Sequence, residues 1–285
     1  MVLCGAVWLV GSNALVAAAD TPAQNLTLSP AKQEMPLRVG DTYTGSFRLL
    51  NAGQSPYDLK VYAKPYWVKD ERYTADFEAK RPNTDFYEWV HFSKTQYHLV
   101  PNQMVTVDYA VHVPQNAGPG GHYGVLFAET MPTNDKTNFG VSSTQRLGML
   151  AFGKVDGKHE VSGDIKSQTI SFFQFTKPLK TTTRFENTGN IDFNGELNLT
   201  VKNVFGATKY TTTHDSSVLP GTVRRVELNW EQSPPFGLYR VELVTQFLDT
   251  TTRKNAYVLM APIWFYMVVP LLLLGGIVYV VQRRR

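Results

Sequence analysis

One ordered set of turns and strands occurs twice along this chain, and that repetition narrows its fold more than any other feature. Phe47-Arg-Leu-Leu-Asn51-Ala-Gly53 is echoed by Thr183-Arg-Phe-Glu-Asn187-Thr-Gly189, and Leu99-Val-Pro101-Asn by Val218-Leu-Pro220-Gly. Gly121-His-Tyr123-Gly-Val-Leu-Phe127 is echoed by Gly237-Leu-Tyr239-Arg-Val-Glu-Leu243. Between these marks the residues alternate with period two. Val105, Val107, Tyr109, Val111 and Val113 interleave with Thr106, Asp108, Ala110 and His112, and Leu179, Thr181, Thr183 and Phe185 with Lys180, Thr182, Arg184 and Glu186. Strands with one buried and one wet face read in this way. Asn-x-Gly supplies the positive φ angles of a tight reversal between them. The expected fold is all-β: two tandem immunoglobulin-like β-sandwiches over residues 26–157 and 158–260.

The two copies differ in length at one place. Asn51 to Pro101 spans 50 residues and Asn187 to Pro220 spans 33, so the first copy carries an insert, placed between Pro65 and His98. It is rich in aromatic residues set among charges. Insertions survive in loops, and binding residues concentrate in loops held on a scaffold. Tyr66, Trp67, Tyr73, Phe86 and Tyr87 are therefore the candidate ligand-binding residues, suited to a glycan or a protein. Trp89, with Val90 and Phe92, reads instead as a strand packing into the core, while Trp67 and Tyr73, flanked by charges, stay open between surface and core.

Both ends point to export. Ile263 to Val281 is a 19-residue run without a charge, followed by Arg283, Arg284 and Arg285. At about 1.5 Å per helical residue it covers roughly the hydrocarbon thickness of a bilayer. Pro270 and Gly275-Gly276 are tolerated in such a helix. The reading is a transmembrane helix over residues 262–282 with a cytoplasmic basic tail, 283–285, and with Trp264 and Tyr266 at the opposite interface. Residues 1–19 close on Ala17-Ala18-Ala19 and read as a signal peptide. They lack its positive n-region, so the start is expected to be incomplete or misassigned, with an uncleaved second anchor as the rival. The sole cysteine, Cys4, falls in this segment, which leaves core burial to hold the exported part together. The protein is thus placed in the plasma membrane as a single-pass type I protein with its N-terminal part extracellular.

Charge and motifs exclude several classes. Lys plus Arg number 28 and Asp plus Glu 24, but three arginines belong to the tail, so the exported part is nearly neutral. Nothing there suggests a nucleic-acid surface. The six histidines, His91, His98, His112, His122, His159 and His214, show no zinc-helix spacing, and no Gly-x-Ser-x-Gly elbow occurs. Gly118-Pro119-Gly120-Gly121 lacks the Lys-Ser/Thr ending of a phosphate loop, and Asp70, Glu71 and Asp76 lack the interleaving of a calcium loop. No enzyme activity, metal or cofactor is expected.

Ser29-Pro30, Gly40-x-x-Tyr43, Asn51-x-Gly53, Leu99-x-Pro101 and Val113-Pro114-x-x-Ala117-x-x-Gly120-x-x-Tyr123-Gly124 resemble the first domain of the WxL-interacting proteins, anchored surface proteins of Gram-positive and related bacteria. Asn187-Thr-Gly-Asn190, Val204-Phe-Gly206, Leu219-Pro220-Gly221 and Phe236-Gly237-x-Tyr239 resemble their second module. The resemblance runs over roughly residues 26–282 and rests on turns and strands. It implies a first domain that engages peptidoglycan and a second that engages a partner protein or host surface. The insert matches no motif of that family. The expected function is a membrane-anchored binding or adhesion protein that presents both modules to cell-wall glycan or a surface protein. The alternative is a tethered chaperone-like or assembly protein that captures a partner strand on an open sheet edge.

Overall fold

The computed structural model describes residues 26–131 and 144–284. The expected signal segment 1–19, residues 132–143 and Arg285 lie outside the described residues. The chain is mostly β. Its first part runs β1 (Leu26–Ser29), β2 (Lys32–Leu37), β3 (Thr42–Asn51), β4 (Tyr57–Pro65), β5 (Trp67–Val68), β6 (Ala75–Asp76), α1 (Phe86–Trp89), β7 (Val90–Phe92), β8 (Gln96–Leu99), β9 (Met104–His112), β10 (Gly120–Thr130) and β11 (Arg146–Val155). The second runs β12 (Gly163–Thr169), β13 (Phe173–Gln174), β14 (Leu179–Asn187), β15 (Phe193–Asn203), β16 (Thr208–Val218), β17 (Val223–Trp230), β18 (Gly237–Phe247), β19 (Thr250–Met260) and α2 (Ile263–Arg283).

Each part packs two sheets face to face. In the first, β1-β3-β9-β7 lies over β2-β11-β10-β4-β8; in the second, β12-β14-β17 lies over β13-β19-β18-β15-β16. The plan is the same in both. β2 joins β11, and β13 joins β19, in parallel, while the preceding strands β1 and β12 edge the facing sheets. Period-two alternation produces this arrangement: Val107, Tyr109 and Val111 of β9 point inward while Thr106, Asp108 and His112 face water. Two separate cores result, one around Phe47, Leu59 and Met149 and one around Phe185, Leu199 and Leu243.

The repeated asparagines explain the repeated turns. Asn51 Nδ2 donates to the carbonyls of Ser55 and Leu99, and its Oδ1 accepts the Gly53 N–H. Asn187 does the same with Ile191, Val218 and Gly189. Both side chains are buried, at 0% and 1% exposure, so each satisfies three main-chain groups that water cannot reach. The left-handed residue that follows each site, Asn102 at φ 61° and Gly221 at φ 67°, returns its N–H to the asparagine carbonyl.

The insert does not hang free. Its helix α1 drives Phe86 and Trp89 into the first core. Phe86 fills space that Gly124 and Gly153 leave open, since a Cβ at either position would lie 2.9 Å from its ring. At the C-terminus, α2 is apolar on every side and long enough to cross a bilayer.

Replacing Asn51 or Asn187 with alanine should destabilise the protein by ~3 kcal/mol, because each leaves buried main-chain groups unpaired. Urea unfolding tests this; a change below about 0.5 kcal/mol, typical of surface positions, would contradict it.

Candidate functional site

Strand β10 is buried along almost its whole length on both faces, so its outer face must be covered. The insert and the second sandwich cover it together. Trp67 and Val68 of β5 close over Tyr123 and Phe152, and Leu219 of the second sandwich completes the cluster. Trp67 meets the Tyr123 ring at 6.3 Å, and Tyr66 stacks on Phe152 at 5.9 Å.

Polar contacts lock this seam. The Tyr123 hydroxyl donates to Asp192 Oδ1 at 3.0 Å and accepts the Asp192 N–H at 3.0 Å. Burial pushes the Tyr123 phenol well above its ordinary range, which keeps it a donor. Gly121 N–H donates to the Asn190 carbonyl, 2.9 Å away. The β5–β6 hairpin tip adds a clasp. Asp70 accepts the N–H groups of Arg72 and Thr74 and the Thr74 hydroxyl, which closes a tight turn with Tyr73 at φ 63°. The Tyr73 hydroxyl shares a 2.6 Å hydrogen bond with Thr222 Oγ1 and accepts the Leu219 N–H at 2.8 Å. Arg224 lies 4.3 Å from the Tyr73 ring centre. Glu71 takes two hydrogen bonds from the Arg184 guanidinium, and its carbonyl accepts the Arg225 N–H at 2.7 Å on the edge of β17. Arg184 also holds the Glu71 carboxyl below the usual glutamate range.

The five residues expected to bind a ligand therefore fall in three environments. Phe86 is core, at 0% exposure, and Trp67 is seam, at 6%. Tyr66 and Tyr73 are half-buried in the same seam. Tyr87 alone stays near the surface, its hydroxyl donating to Glu88 at 2.7 Å. Burial under the second sandwich, which no local pattern announces, takes up Trp67, and packing against Gly124 and Gly153 inside the first core takes up Phe86. The residues expected to anchor the chain lie where α2 begins and ends. Trp264 packs edge-on to Phe236, Tyr266 donates to the Leu259 carbonyl, and Arg283 and Arg284 lie at the far end.

Two features beside the seam are uncovered among the described residues. One is a cleft of about 540 Å³ between Lys32 of the first sandwich and Glu196, Asp215, Ser216 and Gln246 of the second. Ser216 Oγ there is buried without a hydrogen-bond partner among the described residues. The other is the edge of β11. Strand β2 begins at Lys32, opposite Leu150, so Arg146 to Met149 pair with β10 on one side and, among the described residues, with no strand on the other. Leu150 donates its N–H outward to the Ala31 carbonyl, so by alternation Arg146 and Gly148 also turn their main-chain groups outward. Sequence reasoning missed this edge because it depends on register alone.

Little else suggests chemistry. His122 is buried and held at both ring nitrogens, by Asp85 at 2.6 Å and by the Gly118 carbonyl at 2.8 Å, which ties α1 to the start of β10. Among the described residues no three His, Cys, Asp or Glu side chains converge as a metal site.

No family model matches the sequence. No curated protein matches it either. Among solved structures the chain is similar to the YadV chaperone, at 9% identity over 82% of this chain and 100% of that one, with a TM-score of 0.42. It is also similar to the class 5 fimbriae chaperone CfaA, at 11% identity over 82% and 99% and a TM-score of 0.41. The E. coli chaperone DraB matches at 12% identity over 81% and 96%, with a TM-score of 0.40. Likeness of this degree carries no weight for what the chain binds.

Trp67→Ala should lower stability by about 3–5 kcal/mol, read as a fall in melting temperature, because it empties the seam. An unchanged melting temperature would return Trp67 to a ligand-facing role. The seam should also loosen in acid. Glu71 has a depressed folded pKa, so its contribution is present above its ordinary value of about 4.3 and is lost as pH falls through the lower folded value. Protection of the Leu219 and Arg225 amides, measured against their intrinsic exchange rates, should fall across that window, and Arg184→Gln should abolish the step. A step that persists in the variant would assign it to another group.

Proposed function

We propose that this chain is a membrane-anchored binding protein, without catalysis, that receives an extended segment of a protein partner on the open edge of β11. The exposed main chain of Arg146 and Gly148 carries this reading, because an unpaired edge is a template for another strand. Neighbouring β2 bears Lys32, Glu34 and Pro36, features that discourage uncontrolled pairing, whereas the β11 segment has Gly148 at its centre. Two immunoglobulin-like modules, 26–157 and 158–260, form the binding part, and α2 holds them in the plasma membrane with Arg283 to Arg285 inside and the modules outside. A place among the WxL-interacting proteins belongs to the same proposal. The choice between peptidoglycan and a protein partner favours protein, because the aromatic side chains suited to a glycan are taken up by core and seam.

Full-length protein in detergent should select extended peptides from a displayed library of unstructured segments. N-methylation of the selected peptide's main chain should abolish binding. Arg146→Pro removes one outward N–H at the strand's first residue and should weaken binding about five-fold relative to Arg146→Ala, which loses the same guanidinium contacts with Phe127 and Phe77, since one main-chain hydrogen bond is worth ~1 kcal/mol. Retention on insoluble peptidoglycan without peptide selection would overturn the edge reading.

A further inference from the structure

The second sandwich has two unlike ends. The end towards the first carries Asp192, Leu219 and Thr222, whose partners are Tyr123 and Tyr73. The opposite end, where the chain leaves β19 for α2, is tipped with large apolar side chains from three separate loops. Phe205, in the β15–β16 turn, is 91% exposed, beside Val204 at 55%. Phe236, before β18, is 44% exposed, and Phe173 and Phe175, around β13, are 50% and 48% exposed. Register places these loops together. Leu179 pairs with Trp230, Asn203 with Tyr239, and Gly237 with Met260, so all three reach the level at which α2 begins. Single exposed hydrophobics are ordinary, but several converging from different loops mark a contact surface.

The occupant is indicated by what these apolar loop residues touch. Phe236 packs edge-on to Trp264 at 5.7 Å, and Phe173 and Phe175 meet Tyr266 at 5.1 and 5.2 Å. The loops of Phe236 and of Phe173 and Phe175 are thus continuous with the first turn of α2, where a bilayer-spanning helix places its interfacial aromatics, and register sets the Phe205 turn at the same level. Exposed charges at this end include Lys177, which suits headgroup phosphates, and Glu231. We infer that this end of the second sandwich is a lipid-contact surface: Phe205, Phe236 and their neighbours sit in the outer interface of the bilayer that α2 crosses, so the folded module stands directly on the membrane. This rests on the proposed spanning role of α2.

The test uses the full chain with Cys4→Ser in vesicles of mixed phosphatidylcholine and phosphatidylglycerol. An environment-sensitive fluorophore is attached at Phe205→Cys, Phe236→Cys, Leu248→Cys or Leu273→Cys. Nitroxide lipids labelled near the headgroup or deep in the chain serve as quenchers. Labels at 205 and 236 should lose most of their fluorescence to the shallow quencher, the label at 273 to the deep one, and the label at 248, at the opposite end, to neither. If 273 is quenched while 205 and 236 behave like 248, the span stands and the lipid-contact surface is overturned. If 273 is not quenched, the span itself fails and the inference falls with it.

Discussion

A buried tyrosine whose hydroxyl is completed only by the other half of the molecule sets the terms for everything else. Tyr123 projects from the outer face of β10, where an isolated sandwich would meet water, yet it is fully buried. Its hydroxyl and the carboxylate and N–H of Asp192 satisfy one another, and Asp192 also accepts a hydrogen bond from Ser217. Neither polar group tolerates burial alone. Contact between the sandwiches is therefore a condition for the five-stranded sheet of the first sandwich to carry Tyr123 and Phe152 on that face. The insert follows from the same condition. Trp67 caps the apolar cluster, while the hairpin tip grips β14 and β17 through Glu71.

The repeated plan was legible because its causes are local. Period-two alternation reports which side of a strand is buried, and the two Asn-x-Gly marks report the same side-chain network twice. The insert was not legible, for a physical reason. Asp70, Glu71 and Arg72 look like a solvated tip, and Asp70 does shape an exposed turn. What buries Trp67 and Tyr73, however, is Leu219 and Thr222, about 150 residues further on, and nothing in the spacing of the insert encodes that meeting. Phe86 is a similar case, since its socket exists only where Gly124 and Gly153 come side by side. The β11 edge was invisible for a third reason: it is defined by where β2 begins, a matter of register.

The consequences for binding are directional. The clasped seam consumes the aromatic side chains that a loop-borne glycan site would use, and it occupies part of the β17 edge through the Arg225 N–H. The first sandwich keeps Arg146 to Met149 beside the cleft at Lys32. In the proposed function a partner would therefore meet main chain and a polar cleft, and not the aromatic insert.

Residue-resolved hydrogen exchange of the full chain at neutral pH tests the clasp most directly. If the insert binds the sandwiches together, the Leu219 and Arg225 amides, which bond to Tyr73 and Glu71, will be protected to the same degree as amides of β10. Exchange of these two at the rate of an open loop, with β10 still protected, would show that the halves are not joined there.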